Sequence, residues 1–173
     1  MRETVLSLAL VMLGVGNAAA TRDTIPPRVS EFRGGHATLV SSFHALLAKA
    51  VAPAATQIDR ASLIMFLRVE LLPHAQAEEV TLYPAVERAL GTKGYATATM
   101  VMDHRRVARL LDEMATLTAS DPPAYMRRAY ELDALIRAHF DKEEAFILPI
   151  LSERLSPADL EDVLTRIRLV ETP

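Results

Sequence analysis

The stretch HAQAEEVTLYPAV at 74–86 returns as HFDKEEAFILPIL at 139–151. The two copies agree at four places: His74 with His139, Glu78 with Glu143, Glu79 with Glu144, and Pro84 with Pro149. One histidine and one glutamate four residues apart are common on helices, but four matched positions mark an internal duplication. Each copy also has a histidine upstream, His36 lying 38 residues before His74 and His104 35 residues before His139. Four of the chain's five histidines therefore fall on one pattern, H…HxxxE…H…HxxxE. Imidazole and carboxylate repeated in this way point to a two-metal site built by a duplicated helical hairpin.

Helical geometry gives these residues a common address. Residues four apart differ by about 6 Å along a helix and about 40° around it, so His74 and Glu78 can both point inward, one turn apart. The same holds for His139 and Glu143. Leu71 and Leu67, like Ile136 and Leu132, lie three and seven residues before the motif histidines, which places those histidines on the apolar stripe. A buried histidine is usually a hydrogen-bonded core residue, but two glutamates on the same stripe are costly to bury ionised without positive charge. Arg68, Arg137 and Lys142 sit off that stripe, so a metal cluster is the simplest charge partner. Its candidate ligands are His36, His74, Glu78, His104, His139 and Glu143.

Other side chains are weighed beside them. His44 is the alternative to His36 on the first helix, but laying His36 on His104 puts His44 on Asp112, which favours a partly exposed residue. Glu79 and Glu144 point about 100° further round than Glu78 and Glu143, toward supporting or surface roles. Glu70, four before His74, is left open as a residue within reach of the core. Met100 and Met114 read as packing, since thioether and hard oxygen ligands rarely share a site.

Half of the 173 residues are apolar and 24% are charged, enough for one domain with a buried core. A net charge of −3 without a basic block argues against a nucleic-acid partner. The absence of cysteine excludes disulfides, thiolate zinc sites and iron–sulfur clusters, leaving imidazole and carboxylate ligands that suit iron, manganese or zinc. Val5–Val15 is a short apolar run followed by Asn17 and three alanines, so residues 1–20 read as a signal peptide or as an apolar N-terminal helix packed on the core. The first reading implies a periplasmic or secreted protein and the second a cytoplasmic one. The apolar run is too short to span a bilayer.

From Ile25 onward no segment alternates as a strand does, and the punctuation predicts an all-α chain. A first helix follows Pro26-Pro27 and ends before Pro53. A second starts near Asp59, bends at Pro73 and stops at Gly91, and a third runs from after Gly94 to near Ser120. A fourth opens at Asp121-Pro122 and reaches Leu151. Short connections between long helices predict an up-down-up-down antiparallel four-helix bundle over 25–155. An extra C-terminal amphipathic helix, 156–173, presents Leu160, Val163, Leu164 and Ile167 to the bundle or to a second subunit. Monomer and homodimer both stay open.

The segments FRGGHATLVSSFHALL, FLRVELLPHAQAEEVTLYPAVERALG, ATATMVMDHRRVARLLDEM and IRAHFDKEEAFILPIL resemble the hemerythrin-like, or HHE cation-binding, proteins from Phe32 to about Leu151. The resemblance implies two non-haem iron ions per chain inside a four-helix bundle, with an oxo or hydroxo bridge. It implies His36, His74, His104 and His139 as terminal ligands and Glu78 and Glu143 as bridges. Oxygen carriers of this type add a fifth histidine where this chain has Met100, and use a carboxylate five residues after the fourth-helix histidine where this chain has HxxxE. Simple reversible oxygen carriage is therefore not what these residues imply. Gly34-Gly35, before His36, departs from a helix-forming pattern and predicts a helix start or a kink. Three functions follow from this reading: binding or sensing of oxygen, peroxide or nitric oxide; an oxidoreductase that disproportionates peroxide or reduces nitric oxide; and a structural or storage role for the metal.

Overall fold

The computed structural model describes residues 27–117 and 119–171, which form helices joined by short turns and, among the described residues, no strand. The segment read as a signal peptide, 1–20, lies outside the described residues. Helix α1, Pro27–Ala50, continues unbroken through Gly34 and Gly35, neither of which takes a left-handed φ. The helix therefore does not start at the glycines, as their propensity suggested, but before them at Pro27. Buried Val29 before them and His36, Phe43 and Leu47 after them anchor both sides, which outweighs a propensity cost of roughly 1 kcal/mol per glycine.

Helix α2, Gln57–Phe66, starts two residues earlier than Asp59. Thr56 is the cap: its hydroxyl accepts from the Asp59 amide at 3.2 Å, and the Asp59 carboxylate accepts from the Thr56 amide at 2.8 Å. The chain then widens into a π turn at Leu67–Leu71 and continues as α3, Leu72–Val80. Pro73 lacks the amide that would close an α turn, and the residue before it, Leu72, donates five residues back to the Leu67 carbonyl. The break falls instead at Thr81, φ −123° and ψ −62°, ahead of Pro84 in α4, Leu82–Leu90. Pro84 cannot donate to Val80, and the Thr81 hydroxyl folds back onto the Ala77 carbonyl. Gly91 ends α4 in the left-handed conformation, φ 68°.

Helix α5, Ala98–Leu117, is followed by α6, Pro122–Lys142, whose cap Asp121 accepts from the Ala124 amide at 2.9 Å. A second π turn, Glu143–Ile147, leads into α7, Leu148–Arg154, with Leu148 before Pro149 donating to the Glu143 carbonyl. Helix α8, Pro157–Glu171, starts at Ser156, whose hydroxyl accepts from the Asp159 amide at 3.2 Å.

The buried apolar residues form two cores. One contains Phe43, Leu63, Leu67, Val107, Leu111, Leu132 and Ile136; the other contains Val29, Leu82, Met100, Ile147, Leu151, Leu164 and Ile167. Helix α1 passes from the second core to the first, the α2–α4 segment from the first to the second, α5 from the second to the first, and α6–α7 back again. Each of these segments places its motif histidine between the two cores. Helix α8 packs on α3 and also meets α1, α4 and α7, covering the second core with Leu160, Val163, Leu164 and Ile167. No helix among the described residues is long and apolar enough to cross a membrane.

Candidate metal centre

Between the two cores lies a polar layer made by His36, His74, Glu78, His104, His139 and Glu143, every one of them buried. Glu78 stands at its middle. One carboxylate oxygen, Oε1, is 2.9 Å from His74 Nε2 and 3.5 Å from His36 Nε2, while Oε2 is 3.4 Å from His104 Nε2 and 4.0 Å from His139 Nε2. Glu143 spans the same two groups, with Oε2 at 3.5 Å from His36 Nε2 and Oε1 at 3.6 Å from His139 Nε2. His104 Nε2 and His139 Nε2 are 2.9 Å apart. Two sets of donors close enough to share a cation result: His36, His74 and Glu78, and Glu78, His104 and His139.

The donors fit a cation by their wiring as well as their spacing. Glu79 Oε1 lies 2.8 Å from His104 Nδ1, Glu144 Oε1 lies 3.3 Å from His36 Nδ1, and Asp103 Oδ2 lies 3.3 Å from His139 Nδ1. An ionised carboxylate only accepts, so each of these Nδ1 atoms carries the proton and turns an Nε2 lone pair inward. The second glutamate of each motif thus serves the upstream histidine of the other copy. Lys142 in turn holds Asp103. Inside the layer, His36 Nε2, both oxygens of Glu78 and Glu143 Oε2 are buried without a hydrogen bond. Such atoms are costly to desolvate, and a cation satisfies all four at once.

Electrostatics separates the two glutamates. Burial pushes the Glu78 carboxyl up, but the imidazoles around it, His74 first and then His104, His139 and His36, outweigh it and hold it well below the usual carboxylate range. Burial and the Glu78 charge push Glu143 well above that range, only partly offset by Tyr83.

Tyr83 and Asp103 carry roles that sequence reasoning missed. The Tyr83 hydroxyl donates to Glu143 Oε1 at 2.7 Å and lies 3.2 Å from His104 Nε2 and 3.4 Å from His139 Nε2. Burial, with Glu78 and Glu143 close by, drives its pKa far upward, so the phenol keeps its proton. Its signal was the mismatch between the copies, Tyr83 against Leu148. Asp103 meets a histidine 36 positions away, and no local pattern announces that. Phe140 stacks on His36 at 4.1 Å between ring centroids, and Phe32 meets its edge at 4.4 Å.

The open readings also resolve. His44 lies on the surface, 2.7 Å from Asp133. Glu70 is exposed and does not reach the core. Met100 and Met114 are packed in the second and first core. Arg68 and Arg137 pair with Asp112 and Asp133 outside the layer.

A helical bundle with an internal histidine–glutamate layer defines a class of cation-binding protein. A family model, hemerythrin HHE cation binding domain, matches residues 28–151, and the chain belongs to that family. No match was found among the curated proteins or the solved structures compared with it.

Proposed function

We propose that this protein holds two non-haem iron ions in the layer between its cores and uses them to bind or sense oxygen, peroxide or nitric oxide. The observation that carries this reading is the pair of donor sets that share Glu78, closed by Glu143. In this reading His36 and His74 would hold one ion and His104 and His139 the other, with Glu78 and Glu143 as carboxylate ligands available to both. Imidazole and carboxylate ligands suit manganese and zinc as well, so metal analysis decides the identity. The alternating direction in which successive segments cross the two cores supports an up-down-up-down bundle over 25–155, with α8 as an added cover. When bound, two irons supply redox-active coordination positions for a small ligand. The protein orients the imidazoles through Glu79, Glu144 and Asp103 and excludes water with Phe32 and Phe140.

One observation favours a second, enzymatic reading. The Tyr83 hydroxyl is a buried hydrogen-bond donor 2.7 Å from Glu143, suited to steadying negative charge that develops in peroxide disproportionation or nitric oxide reduction.

The test is metal content and the visible spectrum of protein purified without added metal, before and after exposure to air and peroxide. About two irons per chain with bands that respond to oxidant are expected; zinc or no metal, with an inert spectrum, overturns the di-iron reading. Oxygen release from added peroxide, lost in Tyr83→Phe, separates enzyme from sensor.

A further inference from the structure

Behind His139 stands a pair of opposite charges outside the layer itself. Asp103 on α5 turns Oδ2 toward His139 Nδ1 at 3.3 Å, and Lys142, the last residue of α6, donates to that same oxygen. The Asp103 side chain is 19% exposed and that of Lys142 36%, so the pair leads from the surface to a buried imidazole. Two other carboxylates that serve a histidine and a cation at once use a separate oxygen for each. Glu144 faces His36 with Oε1 and Arg33 with Oε2, and Asp133 faces His44 with Oδ1 and Arg137 with Oδ2. At Asp103 both partners take one oxygen.

The two copies of the duplicated hairpin differ at both positions together. When His36 is laid on His104, Gly35 takes the place of Asp103, and when His74 is laid on His139, Ala77 takes the place of Lys142. Ala77 is fully buried in the second core, on the helix that α8 covers, where a lysine ammonium would be costly to desolvate. The donor set of Glu78, His104 and His139 thus has a charged pair behind it that positions 35 and 77 do not supply to the other set.

A carboxylate on the Nδ1 proton of a ligating imidazole makes its Nε2 a stronger donor. An ammonium on the same oxygen competes for that bond and offsets the carboxylate's field, in a partly buried setting where solvent screens weakly. We infer that Asp103 and Lys142 are opposed positioning residues for the ion that His139 would hold: Asp103 tightens the hold, and Lys142 limits it. The inference rests on the metal-centre reading and deepens it, because it makes the grip on one of the two ions adjustable from the surface.

The experiment uses the full chain with cobalt(II) as the probe. Its apparent affinity is read by competition with a chelating dye, after circular dichroism on every variant. Asp103→Asn is expected to weaken the hold about tenfold, Lys142→Met to tighten it a few-fold, and Lys142→Arg to match wild type. Arg106→Gln, which removes a cation one turn along α5 that pairs with Glu131, should also match wild type. Opposite signs for Asp103→Asn and Lys142→Met are what a merely structural tie between the two cannot give. Weakening by both, which would make the lysine only an anchor for Asp103, overturns the inference, as does wild-type affinity in both or equal tightening by Arg106→Gln. Should Asp103→Asn lose its helical signal, the comparison of Lys142→Met with Lys142→Arg decides alone. A wild-type chain that binds no cobalt(II) defeats the metal-centre reading itself.

Discussion

Glu78 and Glu143 are buried side by side, with imidazoles where lysine or arginine would ordinarily neutralise them. That choice suits a centre that accepts metal: neutral imidazoles offer lone pairs, and the positive charge arrives with the ion. Replacing either glutamate by alanine should lower metal content below one ion per chain, measured by atomic absorption, while circular dichroism still shows a helical protein. The apolar packing on both sides of the layer carries most of the fold, so loss of the centre and loss of the fold are separable. His44→Ala is the matched control. Its ring is exposed and paired with Asp133, and metal content should not change.

Within the elements, short side-chain motifs set where helices begin and how the turns between them are held. Thr56 caps α2 together with Asp59, and Thr56→Ala should cost about 1 kcal/mol in chemical denaturation without changing metal content. Between α4 and α5, the Glu87 carboxylate gathers the loop by accepting from Thr92, from the Gly94 amide at 2.7 Å, and from the Thr97 amide and hydroxyl at 2.8 Å each. Burial raises its pKa, but these hydrogen bonds prevail and bring it to about 2 from an ordinary value of 4.5. A depressed pKa stabilises the folded state above the unfolded value, and that contribution is lost as pH falls through the folded one. The stability gap between wild type and Glu87→Gln should therefore be constant above pH 4.5 and close between pH 4.5 and 2. A gap that persists at the acid end would show that the loop is held by something other than this carboxylate.

Across the whole molecule, α8 does more than end the chain. Its apolar face completes the second core and its charged face is tied to α1 by Arg28–Glu161 and Arg168–Glu31, the first of these with a half-exposed glutamate. Exposed pairs of this kind contribute little, so burial of the apolar face holds the helix down. Leu164 is 3% exposed, and Leu164→Ala should cost about 2–5 kcal/mol in thermal or chemical unfolding, with metal content unchanged in the folded protein. A cost near zero would mean that α8 is not held on the bundle in solution.

The sequence alone carried the helices, the duplication and the six histidines and glutamates of the polar layer, because each is a local signal: helical spacing, a repeated motif, or a cap beside a proline. It placed the start of α2 at Asp59 because Asp is a strong cap, while Thr56 and Asp59 act as a pair. It expected Gly34-Gly35 to interrupt α1, which buried anchors on either side prevent. Tertiary structure alone decided what lies behind the layer. Asp103 reaches His139, Glu79 reaches His104, Glu144 reaches His36 and Tyr83 reaches Glu143 only because separate helices meet at one height, and no periodicity within a helix encodes such a meeting.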